Sequence, residues 1–139
     1  MTQQVNAIMT PAPAAIRPDQ PVTDAARIMR DQGIGTVLVV EDGELTGLLT
    51  DRDIVVRAIA EGLDPAATPV GQICSRDLTT VRPDEDADAA VARMREHGVR
   101  RVPVVAEGSP VGILSIGDMA LERDARSALA DVSSQPSNT

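Results

Sequence analysis

Thr50-Asp51-Arg52-Asp53 and Ser115-Ile116-Gly117-Asp118 each set a hydroxyl three residues ahead of a carboxylate. Each follows a glycine and two aliphatic residues, Gly47-Leu48-Leu49 and Gly112-Ile113-Leu114. Two uses fit that spacing. Where a strand turns into a helix, the hydroxyl accepts from an N–H further on and the acid reaches back to the hydroxyl residue's own N–H. This is a capping box, with Asp in place of the usual Glu or Gln. Such a cap stabilises by about 0.5–2 kcal/mol and needs no ligand. The other use is binding. A helix N-terminus offers unpaired N–H groups and a positive dipole end to a phosphate, and a hydroxyl can donate to the same anion. A carboxylate repels phosphate, but its two acceptor oxygens suit vicinal hydroxyls such as those of a ribose. The residues alone leave both uses open.

Little else in the chain does chemistry. His97 and Cys74 are its one histidine and one cysteine, with no pairing motif, and a zinc site takes three or four ligands. His97, just before Gly98, reads as a basic group at a helix C-terminus. Cys74 reads as a small buried hydrophobe. No nucleophile with its base and no metal-binding set stands out, so no catalytic residue and no metal are expected, and the chain reads as a non-enzyme. The net charge of −8 disfavours a nucleic-acid backbone. Phe, Tyr and Trp are absent, which removes the platforms on which single-stranded bases stack. No signal peptide or long apolar span is visible, so a soluble cytoplasmic protein with no membrane partner is expected. Hydrophobic residues make up 42% of the 139, and the core must come from Val, Ile, Leu, Ala and Met. Each buries less area than an aromatic, which favours a homodimer.

The elements that position the two motifs are themselves repeated. Sliding the chain on itself by about 65 residues lays 8–53 on 73–118 without a gap, with roughly one position in three identical. Arg17-Pro18-Asp19 falls on Arg82-Pro83-Asp84, Met29-Arg30 on Met94-Arg95, and Gly33, Gly43 and Gly47 on Gly98, Gly108 and Gly112. In each copy a short extended segment (14–16, 79–81) stops at Arg-Pro. An apolar helical stripe follows: Val22, Ala25, Ala26, Met29, then Ala87, Ala90, Val91, Met94. Gly33 and Gly98 end those helices. The β-branched runs 36–40 and 101–105, the glycine turns 41–44 and 106–109, and the return runs 45–50 and 110–115 predict hairpins. A second helix is expected over about 51–61, closed by Gly62, and over about 116–130. Each copy is thus β-α-β-β-α. "VGQI" (70–73) matches "VNAI" (5–8) as a short helical lead-in. Arg27, Arg30 and Asp31 read as the wet face of the first helix.

Taken together, the doubled β-α-β-β-α order, "RVPVV", the hairpin glycines and the two G-h-h-T/S-x-x-D motifs over 5–122 resemble a tandem pair of CBS domains, a Bateman module. "LTDRDIVVRAIAEGLDP" also looks like the small stand-alone bacterial pairs of the hypoxic response protein 1 type. The resemblance implies a mixed α/β (α+β) fold of two repeats, 5–61 and 70–122, packed with pseudo-twofold symmetry. Residues 62–69 are the expected linker, and 123–139 the end of the last helix with a disordered tail. It implies a homodimer and two equivalent clefts binding an adenosine nucleotide (AMP, ADP or ATP). Carried over by position, Thr50 and Ser115 contact phosphate, and Asp53 and Asp118 hold ribose. Ala15 and Thr80 line the adenine pocket with Ile34 and Val99. The family often sets a phosphate-binding basic residue two after that aliphatic; Arg101 fits, whereas Thr36 lines the first site without the charge. Arg52 compensates in the first copy, and Gly117 has no such capacity in the second. The expected function is a regulatory sensor. The alternative is a dimeric interaction or stress protein whose clefts are vestigial and whose two motifs are only caps.

Overall fold

The computed structural model describes residues 3–117, which fall into two compact units. Pro13–Leu78 form the first unit; 3–12 with 79–117 form the second. In chain order the elements are α1 (Val5–Ile8), β1 (Thr10–Pro11), β2 (Ala15–Ile16), α2 (Val22–Gln32), β3 (Thr36–Glu41) and β4 (Glu44–Thr50). Then come α3 (Asp51–Asp53), which runs on as a π-helix over Ile54–Ile59, α4 (Val70–Ile73), α5 (Ala87–Glu96), β5 (Arg101–Ala106) and β6 (Ser109–Ser115). The first unit holds a three-stranded sheet β2-β3-β4, the second a sheet β1-β6-β5. The fold is therefore mixed α/β, built twice.

Each sheet is built around a hairpin whose turn chemistry is legible. Asp42 and Gly43 both take positive φ (53° and 81°), as do Glu107 and Gly108 (52° and 83°). A two-residue turn with both residues left-handed matches the twist of the strands it joins. Both hairpins carry an irregularity at the same place, Val39/Val40 and Val104/Val105. One residue of the return strand is extra there: Thr46 in the first unit, whose hydroxyl donates to the Val39 carbonyl at 3.2 Å.

Helix α2 buries Val22, Ala25 and Met29 against Ile16, Val37, Val39 and Leu49. Ala26, expected on that stripe, is exposed, because it lies at the stripe's edge and its methyl is short. Gly33 closes the helix at φ 65°, where a side chain is disfavoured. Helix α5 repeats the plan, with Ala90 and Met94 packed against Val81, Val102, Val104 and Leu114. His97 caps it as expected, its Nδ1 2.9 Å from the Arg93 carbonyl.

Two expected elements differ. The extended segment 14–16 forms β2, pairing in parallel with β3, whereas 79–81 leaves only a bridge between Val81 and Val104. The reason is Pro103. At the matching position Leu38 donates its N–H to the Ala14 carbonyl at 2.9 Å, and proline has no N–H to give. The helix expected over 51–61 is α-helical for only three residues before widening into the π form, in which Ala60 donates to the Val55 carbonyl five residues back. The helix expected over 116–130 extends outside the described residues.

The lead-in segments of the two copies exchange partners. Residues 68–71 serve the first unit: Val22 donates to the Thr68 carbonyl, Val70 to Gln20 and Gly71 to Pro18, at 2.8, 2.8 and 2.9 Å. Residues 3–6 make the same three bonds in the second unit: Ala87 to Gln3, Val5 to Glu85 and Asn6 to Pro83, at 2.7, 2.9 and 2.9 Å. Helix α2 starts at Pro21 with no side-chain cap, so the Thr68 and Pro65 carbonyls satisfy its first N–H groups, those of Val22 and Thr23.

Candidate functional site

The two hairpins end in register. Thr36 lies directly opposite Thr50 at the open end of the first, and Arg101 directly opposite Ser115 at the open end of the second. Cross-strand partners project to the same face of a sheet, with Cβ atoms roughly 5 Å apart. Each unit therefore forms a corner in which a β3 or β5 residue sits beside the motif hydroxyl. The backbone just beyond is tied in the same way. Asp51 donates to the Gly35 carbonyl and Ile116 to the Arg100 carbonyl, both at 3.0 Å.

In the first corner the capping box is complete. Thr50 Oγ1 accepts from the Asp53 N–H at 3.1 Å, and the Thr50 N–H donates to Asp53 Oδ2 at 3.0 Å. The Thr50 hydroxyl hydrogen is still available to donate. Asp53 Oδ1 faces the Arg57 guanidinium at 3.6 Å. Arg57 also donates to the Ile73 carbonyl and to Ser75 Oγ, both at 3.0 Å, so it ties the corner to α4. Thr36 is 6% exposed, and its Oγ1 is buried without a hydrogen-bond partner. Such an orphan costs about 1–3 kcal/mol and marks a place where a polar partner belongs. Arg52 is exposed, and its side chain makes no ion pair with a described residue.

The remaining candidates fall in matched places. Ala15 sits exposed on β2 opposite Leu38, and Ile34 packs half-buried on the first core. Thr80 is exposed one residue before the Val81 bridge, and Val99 packs half-buried on the second core. Arg101 is half-buried. Asp118 lies outside the described residues. Thus Thr36, Thr50 and Asp53 come together in one unit and Arg101 with Ser115 in the other.

Sequence reasoning passed over three features. Asp51 folds back on the corner: a Cβ at Gly35 would meet its carboxylate at 3.0–3.4 Å. The motif glycines have a packing cause. A Cβ at Gly47 would sit 2.7 Å from Cys74 Sγ, and one at Gly112 2.5 Å from Met9 Sδ. Arg93 braces the segment before Val81, donating to the Thr80 carbonyl at 3.0 Å and to Glu85 at 2.8 Å. Burial pushes the Glu85 carboxyl up, but hydrogen bonds from Arg93 and the Arg82 N–H, with both guanidinium charges, outweigh it and hold that carboxyl below its ordinary value. Residue spacing signalled only the glycines. Among the described residues no group of three or more His, Cys, Asp or Glu is placed to hold a metal ion, and no helix is long and apolar enough to cross a membrane.

The family model for the CBS domain matches residues 5–59 and again 70–124. A relative in Bacillus subtilis, CBS domain-containing protein YhcV, is 38% identical over 131 residues, covering 91% of this chain and 93% of its own. The crystal structure of Hypoxic Response Protein I with two coordinated zinc ions is similar at a TM-score of 0.76 and 34% identity, covering 86% of this chain and 98% of that one. The CBS domain pair of protein MJ0100, solved in complex with 5′-methylthioadenosine and S-adenosyl-L-methionine, is similar at a TM-score of 0.76 and 26% identity, covering 85% and 97%.

Proposed function

The chain belongs to the CBS-domain family, as a tandem pair of its domains, and from that premise we propose that it is a regulatory module that senses an adenosine-containing nucleotide. The observation that carries the reading is the doubled corner: a strand-end residue held in register beside the motif hydroxyl, Thr36 with Thr50 and Arg101 with Ser115. The adenosine ligands of the MJ0100 pair support the ligand class. In this reading Thr50 and Ser115 face the sugar-phosphate end of the ligand, and Asp53 and Asp118 accept from ribose hydroxyls. Ala15 with Ile34, and Thr80 with Val99, line the base. No aromatic is available, so adenine rests on aliphatic side chains and takes its hydrogen bonds from the backbone, which makes affinity modest. The module works as a homodimer. Val55, Val56 and Ile59 on the π-helical segment stand 58, 45 and 55% exposed, an apolar face suited to a second copy.

One observation favours a second reading. The Thr50–Asp53 box is closed without a ligand, as it would be in an interaction or stress protein whose motif serves only as a cap. Titration of AMP, ATP and S-adenosylmethionine by calorimetry separates the two. The absence of Trp and Tyr also makes any co-purified adenine dominate the near-ultraviolet spectrum. Asp53→Asn preserves an acceptor for the Thr50 N–H but removes the charge. Combined with Asp118→Asn it is expected to weaken ribonucleotide binding roughly tenfold or more, the scale of a lost charge-assisted hydrogen bond. Unchanged affinity in that double variant would refute the ribose contacts, and a parent chain that binds none of the three ligands would leave the cap reading standing.

A further inference from the structure

The two corners are alike in backbone and in the motif acid, Asp53 or Asp118, and differ in the charges around it. Arg101 stands beside Ser115 in the second unit, and its guanidinium makes no ion pair or hydrogen bond with a described residue. Arg100 next to it is exposed. At the matching places the first unit has Gly35 and Thr36. The Asp51 carboxylate lies against Gly35, and Asp53 stands two residues on. Of the cations there, Arg57 is committed to Ile73, Ser75 and Asp53, which leaves exposed Arg52 against Asp51. A dianionic phosphate gains a bidentate partner at the second corner and at the first finds Arg52 already offset by Asp51. What the first corner offers is a hydroxyl, Thr36 Oγ1, more than nine-tenths buried and without a partner, on the same face as Thr50. An uncharged polar group satisfies it; a phosphate brings a charge with nothing to neutralise it.

We propose that the corners select different ligands: the Arg101 corner takes the phosphate of an adenosine phosphomonoester, and the Thr36 corner takes the uncharged end of a nucleoside. The inference rests on the nucleotide reading above and sharpens it into a division of labour between the repeats. One molecule would then report the ratio of a phosphorylated to an unphosphorylated metabolite.

Backbone amide NMR of the full chain, titrated in parallel with adenosine and with AMP, tests it. Both probes are expected to perturb the spectrum. The difference between the two, which is the footprint of the phosphate, is expected on 99–102 and 113–116 and not on 34–37 or 48–52. Arg101→Gln should lower AMP affinity roughly tenfold or more, toward that of adenosine, the size expected for one hydrogen bond to a charged group. Arg101→Lys, which retains the charge, should keep part of the preference and guards against a variant that fails to fold. Thr36→Val should weaken adenosine binding at the first corner severalfold and leave the phosphate footprint in place. A footprint on 48–52, or an Arg101→Gln chain that binds AMP as the parent does, overturns the division while the nucleotide reading survives. If neither probe moves any amide, the nucleotide reading falls and the division with it.

Discussion

Gln20 and Glu85 occupy matching positions in the two repeats and accept the same hydrogen bond, from the N–H of Arg17 at 3.0 Å and of Arg82 at 3.3 Å. Only one of them titrates. Glu85 also takes two bonds from Arg93, at 2.8 and 3.3 Å, and these with the nearby positive charges hold its carboxyl below the ordinary value despite the opposing effect of burial. A carboxylate whose folded pKa is depressed adds stability that is fully present above its unfolded pKa. That stability is lost as pH falls through the folded value. Glu85→Gln keeps the acceptor for Arg82 and drops the charge. We expect it to lower stability at neutral pH and to flatten the acid side of the stability curve, measured by urea midpoints from neutral pH into the acid range. The expectation fails if the variant loses stability with falling pH as steeply as the parent.

At the scale of elements, the glycines of the motif are where a lead-in crosses a strand. Thr10 pairs with Ile113 beside Gly112, and Ser75 with Leu48 beside Gly47. The two crossings differ in what stands closest. At Gly112 a methyl would press on the Thr10 carbonyl at 2.8 Å as well as on Met9 Sδ. At Gly47 it would meet mainly the Cys74 side chain, with the Ser75 carbonyl at 3.2 Å. A backbone oxygen yields less than a side chain. Gly112→Ala is therefore expected to cost about 1–3 kcal/mol as overpacking, and Gly47→Ala less. Adding Cys74→Ala should recover most of the Gly47→Ala loss, whereas adding Met9→Ala should recover little of the Gly112→Ala loss; a double-mutant cycle in urea measures both. The contrast also shows what was legible in the sequence. The hairpins, the α2 and α5 stripes apart from Ala26, and the two strand-to-helix junctions followed from period and turn chemistry, which are local, whereas Thr36 and Arg101 were expected only from the family resemblance. That Gly47 touches Cys74 and that Asp51 folds over Gly35 are consequences of chain crossing and of one side chain's direction, for which no spacing rule exists. Pro103 is an intermediate case. Its missing N–H is evident from the residue type, but its effect on 79–81 depends on the register of the pair.

For the whole molecule, the unit that repeats in the sequence is not the unit that packs. The stretch 5–61 contains α2, β3 and β4 but lacks what completes their core: Val70 and Ile73, both buried there, the Thr68 carbonyl under Val22, and the Ser75 pairing with Leu48. Its own lead-in, with Val5 fully buried, belongs to the core of the second unit. A core made of aliphatic residues alone has little to spare when two of its members and a strand pairing are removed. A chain of residues 13–78 is therefore expected to unfold cooperatively in urea and keep the helix and strand signal of its elements. A chain of residues 5–61, though it holds one full copy of the repeat, is expected to show a weak, broad transition, because α2 begins with unsatisfied N–H groups and Leu48 loses both of its bonds to Ser75. Circular dichroism with urea titration of the two fragments decides it. Cooperative unfolding of 5–61 with a midpoint at or above that of 13–78 would mean that each repeat is closed by its own lead-in, and the exchange of lead-ins would then not be what holds either unit together.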